Sequence, residues 1–186
     1  MTTEIDKYLP RFKDHQIKHV LNDGHFQSFV CEVPGDSNFA FTVTTIPYWL
    51  YVSGDIGHMA FWRQEDMLSW LFRGYKDISY LSSKAQEVPI EEFNLDFAKQ
   101  QVREWIKDLD KEWQEESEQD CDFVPTEKEY DRRNSLEEAL DATDENEFYS
   151  SLSTLDDFPS GNVWTQNYLR CYAALFWFVQ NVKLGA

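Results

Sequence analysis

An α+β fold is what this sequence predicts, an N-terminal antiparallel β-meander of four to five strands packed by C-terminal helices. Three observations carry it. Between His19 and Trp62 the chain is a succession of short runs rich in Val, Phe, Thr, Tyr and Trp, residues that suit a pleated, half-buried surface. The breaks between those runs are short and glycine-bearing, so neighbouring runs pair antiparallel instead of crossing over. From Glu65 onward apolar residues recur at spacings of three and four, the period of a helix. The 186 residues, 42% hydrophobic and 16% aromatic, are enough for a buried core. A single domain is expected, with the meander over 19–62 and a mainly helical part over 65–186.

The elements follow in order. Residues 3–14 set Ile5, Leu9 and Phe12 at helical spacing, with Pro10 opposing a regular helix. Strands are predicted over 19–22, 25–33, 38–46, 48–53 and 58–62. Asn22-Asp23-Gly24, Pro34-Gly35-Asp36-Ser37 and Ser53-Gly54-Asp55-Ile56-Gly57 carry the residues that tight turns demand. After Gln64, Glu65 and Asp66 open a helix whose buried face is Met67, Leu68, Leu71 and Phe72. Pro89 then breaks the chain before the longest helix, 95–118, with Leu95, Ala98, Val102, Trp105, Ile106, Leu109 and Trp113 in one stripe. Leu136 and Leu140 support a helix over 126–142, and Phe148, Tyr149, Leu152 and Leu155 a shorter one. Residues 156–161 form a break. Asn162 is expected to cap a last helix reaching 182, apolar nearly all round from Cys171 to Val179 and therefore central.

Charge narrows the partners. The net charge is −17, and 18 of the 34 acidic residues lie between Glu104 and Glu147 with only five Lys or Arg among them. Such a chain repels nucleic-acid phosphates and anionic membranes, so neither is an expected partner, whereas basic protein surfaces are attracted. The longest apolar run has nine residues, against about twenty for a membrane span. The first residues lack the pattern of a signal peptide, and Cys31, Cys121 and Cys171 show no paired spacing. A soluble, cytoplasmic protein with reduced thiols is expected.

Chemistry-bearing patterns are sparse. His15 and His19 are four apart, a zinc spacing on a helix, but no Glu follows His15 and no further ligands stand near, so no metal is expected. Ser53, Asp55 and His58 fall within one turn. Neighbouring residues of a tight turn rarely converge as a nucleophile, its orienting acid and its base, and a glycine-dependent hairpin explains the turn as well. No phosphate-binding glycine loop occurs, and no cofactor is expected. Cys31 and Cys171 read as core residues, and Cys121 sits between two carboxylates that disfavour a thiolate. Phe39, Phe41, Tyr48, Trp49, Tyr51, Phe61 and Trp62 could stack bases, but without a positive field they read as core, or as a protein-binding patch where exposed.

The acids remain. Glu104, Asp108, Glu115, Glu118 and Asp122 recur at spacings near three, four and seven, which would line one helical face with charges about 5–6 Å apart. Glu112 and Glu116 add to it, and Trp113 among them would be an apolar anchor. These residues, Glu104, Asp108, Glu112, Trp113, Glu115, Glu116 and Glu118, are the candidate partner-binding set. A solvated face that serves solubility is the plainer alternative.

From Phe39 to Met67 the chain also carries an antiparallel strand, the turn Ser53-Gly54-Asp55-Ile56-Gly57, a strand ending Phe61-Trp62-Arg63, and the helix start Glu65-Asp66-Met67. With Trp164-Thr165 before a buried aromatic helix, this resembles a family of uncharacterised bacteriophage and prophage proteins. The resemblance covers about a third of the chain and brings no catalytic residues. It implies a phage origin and the class of small acidic proteins that inhibit host defence. The expectation is an anti-CRISPR-like, non-enzymatic inhibitor in the host cytoplasm. Its partner would be a host CRISPR effector or nuclease with a basic nucleic-acid-binding surface, which it would occupy as an acidic mimic. A small hydrolase using Asp55 and His58, or a signalling-nucleotide sponge with Arg63 and Arg73 as cations, are the alternatives.

Overall fold

The computed structural model describes residues 4–86, 89–155, 158 and 160–182. Two compact units emerge, one formed by 1–90 with 164–186 and the other by 91–163. The fold is α+β, a six-stranded antiparallel sheet followed by helices.

In the first unit the strands are β1 (Gln16–Asp23), β2 (Phe26–Val33), β3 (Asp36–Ile46), β4 (Trp49–Gly54), β5 (Gly57–Trp62) and β6 (Ala85–Gln86), paired in that order. The first five form the expected meander. Two-residue loops join them, so Asp36 and Ser37 belong to β3 and not to a four-residue turn. Alternation sends Phe29, Cys31, Phe41, Val43, Leu50, Val52, Met59 and Phe61 to one face, where all are buried. That face is covered by a 3-10 turn (Leu9–Phe12), α1 (Met67–Gly74) and α6 (Gln166–Asn181). The helix expected over 3–14 is thus a single 3-10 turn, with Pro10 in its first positions, and β1 starts at once after it. Thr3 lies outside the described residues.

Helix α1 begins where Asp66 accepts the Ser69 N–H at 3.0 Å. Helix α2 (Ile78–Ser82) is short and β6 shorter still, and neither leaves a periodic signal in sequence. Helix α6 buries Tyr168, Leu169, Cys171, Tyr172, Ala173, Ala174, Leu175 and Phe178, as its apolar composition demands. Its cap is Thr165, whose hydroxyl accepts the Tyr168 N–H and donates to the Pro89 carbonyl. Asn162 does not cap it, because Asn162–Trp164 is a strand, β8, paired with β7 (Glu91–Phe93).

The second unit contains α3 (Leu95–Gln119), α4 (Glu127–Asp141) and α5 (Glu145–Leu152). Ala98, Val102 and Leu109 of α3 meet Leu136 and Ala139 of α4, Ala142, and Phe148 and Leu152 of α5 in a separate core. Each helix is capped in sequence. Asn94 accepts from Phe97 N–H, Asp144 from Glu147 N–H, and Thr126 forms a capping box with Glu129. Of the break expected over 156–161, Asp156, Asp157 and Pro159 lie outside the described residues.

Candidate acidic interface on the helical unit

Helix α3 is built by its buried stripe and displays what lies opposite. At about 100° per residue, Glu104, Asp108, Glu112, Glu115 and Glu118 fall within about a third of a turn, with Glu104, Glu115 and Glu118 turned away from Ala98, Val102 and Leu109 and Glu112 bordering that buried stripe. All five are exposed. Glu116, also exposed, lies about a quarter turn off, towards Trp113. Trp113 itself continues the buried face. Its half-buried ring is tilted 5.4 Å from that of Tyr130 on α4, and Tyr130 is 46% exposed. Glu104, Asp108, Glu115 and Glu118 therefore share a face, Glu116 lies off it, and the aromatic faces α4 and leaves Tyr130 as the more exposed ring.

Asp122 does not join the stripe. Asp120 terminates α3 in extended geometry and its carboxylate accepts the Asp122 N–H at 3.0 Å, which turns the chain away. Asp120, Cys121 and Asp122 are exposed, with ligating atoms within 4.8 Å of one another.

Charge is segregated between the units. Residues 91–163 hold 23 acidic and seven basic side chains, a net of −16, while the sheet unit holds 11 and ten, a net of −1. Several of the seven cations are already engaged. Arg133 donates to Asp110 at 2.9 Å and to Glu137 at 2.6 Å, and the Asp110 hydrogen bond in particular raises its pKa. Lys111 meets Glu115 at 3.5 Å in a pair exposed on both sides, and Arg132 lies over the Trp105 ring. Gln100 and Gln114 donate to Glu104 and Glu118 without changing their charge. Two further acids are committed to helix starts. Hydrogen bonds from Thr126 lower the pKa of Glu129, and those from Thr143 lower that of Glu147.

The turn holding Ser53, Asp55 and His58 has a structural role in every residue but the serine. Asp55 accepts the Phe39 N–H at 2.9 Å and donates its own N–H to the Ala40 carbonyl, which holds Phe39 at φ +58 within β3. The Asn167 carboxamide of α6 accepts the His58 N–H at 3.2 Å and donates to the His58 carbonyl at 3.0 Å. A Cβ at Gly57 would sit 1.9 Å from that Asn167 oxygen. Ser53 and His58 are cross-strand partners on the exposed face, and no hydrogen bond joins their side chains or Asp55 to His58 among the described residues. Asp55 thus reaches out of its own turn to β3.

The other candidates resolve individually. His15 and His19 lie on an extended segment, where four residues span about 13 Å, too far for the shared helical face a zinc pair requires. Burial pushes the thiols of Cys31 and Cys171 up to about 12, as befits core residues. Alternation divides the aromatic set. Phe41 and Phe61 are core, Phe39 and Trp49 are half-buried, and Tyr48, Tyr51 and Trp62 are exposed. Trp49 stacks on Tyr51 at 5.8 Å. Arg73 donates to Gln64 at 3.0 Å, and Arg63 stands near Tyr80, whose pKa is lowered chiefly by the Trp70 hydrogen bond and further by this cation. What sequence reasoning missed is the Asn167 clamp and the Arg133 bridge, both joining residues too distant in sequence for any local pattern to relate them.

No family model matches the chain, and no curated protein or solved structure matches it either. No helix among the described residues is long and apolar enough to cross a membrane.

Proposed function

We propose that this chain is a non-enzymatic inhibitor of phage origin whose acidic α3 face occupies a basic nucleic-acid-binding surface on a host defence protein, a CRISPR effector or nuclease. The observation that supports this most is the exposed row Glu104, Asp108, Glu112, Glu115 and Glu118 on α3, outside its buried stripe. From first to last the row spans about 21 Å at 1.5 Å per residue, one carboxylate in every ~5 Å, with Lys111 lying within it and paired to Glu115. A DNA duplex carries one per about 1.7 Å and a single strand one per about 3.4 Å. The row thus falls below the charge density of a single strand and much further below that of a duplex. A narrow groove that tracks one strand is the better match. The near-neutral sheet unit adds no competing field.

Long-range attraction of this kind acts on the association rate and fades as salt shortens the Debye length to about 8 Å. The test is affinity capture by the full chain from nuclease-treated host lysate, repeated with E104Q, D108N, E112Q and E115Q combined. These side chains are exposed and outside the core, so the variant should fold. Capture of a nucleic-acid-binding protein by the native chain and its loss with the variant supports the proposal. Equal capture by both disposes of it.

A further inference from the structure

We propose that the outer face of the six-stranded sheet binds an uncharged glycan, a β-1,4-linked chain of glucose or N-acetylglucosamine. The inner face of the meander is core, and alternation sends the intervening side chains outward. Strand pairing sets those side chains in rows. Trp49 and Trp62 stand opposite one another on β4 and β5. Thr44, Tyr51 and Ala60 make the next row, which Ser28 extends onto β2 with its hydroxyl 3.1 Å from that of Thr44. Trp62 is 49% exposed, Tyr51 is 38% exposed and Trp49 is half-buried. Single apolar residues at a surface are ordinary, but three large aromatic side chains on adjoining positions of one face mark a binding surface.

Ring geometry and composition choose the ligand. At a centroid distance of 5.8 Å with 12° between their planes, Trp49 and Tyr51 are offset-stacked, so each ring partly covers one face of the other. Trp62 joins no ring pair among the described residues, and its indole is the more open platform. The face of an aromatic ring is electrically negative. A pyranose whose hydroxyls are equatorial points its C–H bonds, positive at hydrogen, out of both ring faces and its hydroxyls sideways. It therefore packs flat on an aromatic ring and offers its hydroxyls to whatever stands beside. Beside these rings stand the hydroxyls of Ser28, Thr44 and Tyr51, and of Ser53 in the row beyond, each able to donate and to accept. None of the residues named in these rows is Asp, Glu, Lys or Arg, in a chain of net charge −17. The match is to a ligand without charge; a nucleic-acid strand would bring phosphates that no cation of these rows could meet.

The probes are cellohexaose and chitohexaose, titrated into the ¹⁵N-labelled full chain while the indole N–H resonances are followed. The expected result with one or both is a saturable shift of the Trp49 and Trp62 indoles, with the buried Trp70 indole unmoved. Trp62→Ala should bind about tenfold more weakly, the loss of one stacked ring, whereas Trp62→Tyr, which keeps a ring, should stay within about threefold of the native chain. Trp62 lies outside the core, and the tyrosine variant keeps the comparison meaningful should alanine disturb the fold. The combined E104Q, D108N, E112Q and E115Q chain should bind the glycan as the native chain does, which separates this site from the α3 row. No saturable shift with either hexamer, shifts that spare Trp49 and Trp62, or equal binding by Trp62→Ala would overturn the site. So would decaproline moving these indoles where neither hexamer does, which assigns the face to a proline-rich peptide, or self-association abolished by Trp62→Ala, which assigns it to a second copy.

Discussion

Gly57→Ala tests the account of the turn that sequence offers as a candidate active site. A Cβ there would stand 1.9 Å from Asn167 Oδ1, and the residue sits at φ +108, where side chains are strained. Asn167 must swing away, and both of its hydrogen bonds to the His58 backbone are then lost. At about 1 kcal/mol each, with about 1–2 kcal/mol of backbone strain, the loss is about 3–4 kcal/mol. Asn167→Ala alone should cost only the hydrogen bonds, about 2 kcal/mol. Because Gly57→Ala already removes them, the double variant should be no worse than Gly57→Ala alone, a coupling of about 2 kcal/mol. Urea unfolding followed by tryptophan fluorescence gives all three values. Additive losses, or a Gly57→Ala cost below about 0.5 kcal/mol, would refute the clamp.

Acid should weaken the helix starts of the second unit only once the pH falls below the ordinary carboxylate range. The pKa values of Glu129 and Glu147 are lowered from 4.5, so their stabilisation is present above about that pH and is lost as pH falls through the lowered values. Far-UV circular dichroism of Thr126→Ala, which removes the partner of Glu129, should show less helix at neutral pH and a shallower acid transition. Raising ionic strength from about 0.01 to about 0.15 M, with the Debye length falling from about 30 to about 8 Å, should raise the melting temperature by screening the −16 unit. A melting temperature that falls would show that attractive pairs outweigh repulsion. Arg133→Ala should cost at most about 1 kcal/mol in urea unfolding, because its Asp110 and Glu137 partners are each about half exposed.

The parts of the fold that were legible in sequence are those with a long period. Strands β2 to β5 and helices α3 and α4 lie within two residues of their predicted ends, since each repeats its pattern several times. Helix α2 and β6 have five and two residues, too few for any period to register. The misplaced cap of α6 has a physical cause. Asn162 and Thr165 are both good caps, and only the pairing of Asn162–Trp164 with β7, a contact across some seventy residues, decides between them. The acidic row was legible because helix period alone fixes a face, whereas Trp113 needed knowledge of Tyr130 on another helix. His15 was visible as a residue but not for its role. Its hydrogen bond to the Phe39 carbonyl and its edge contact with the Trp177 ring tie it to residues that are not local in sequence.

The most direct measurement of the central claim is competition for the captured partner between the full chain and a short single-stranded oligonucleotide, at two ionic strengths. If the α3 row stands in for a strand, oligonucleotide and protein displace one another. Raising salt then weakens the native chain steeply, and the E104Q, D108N, E112Q and E115Q combination loses both the competition and most of the salt dependence. Simultaneous binding of protein and oligonucleotide, or an unchanged affinity in that variant, would contradict the account.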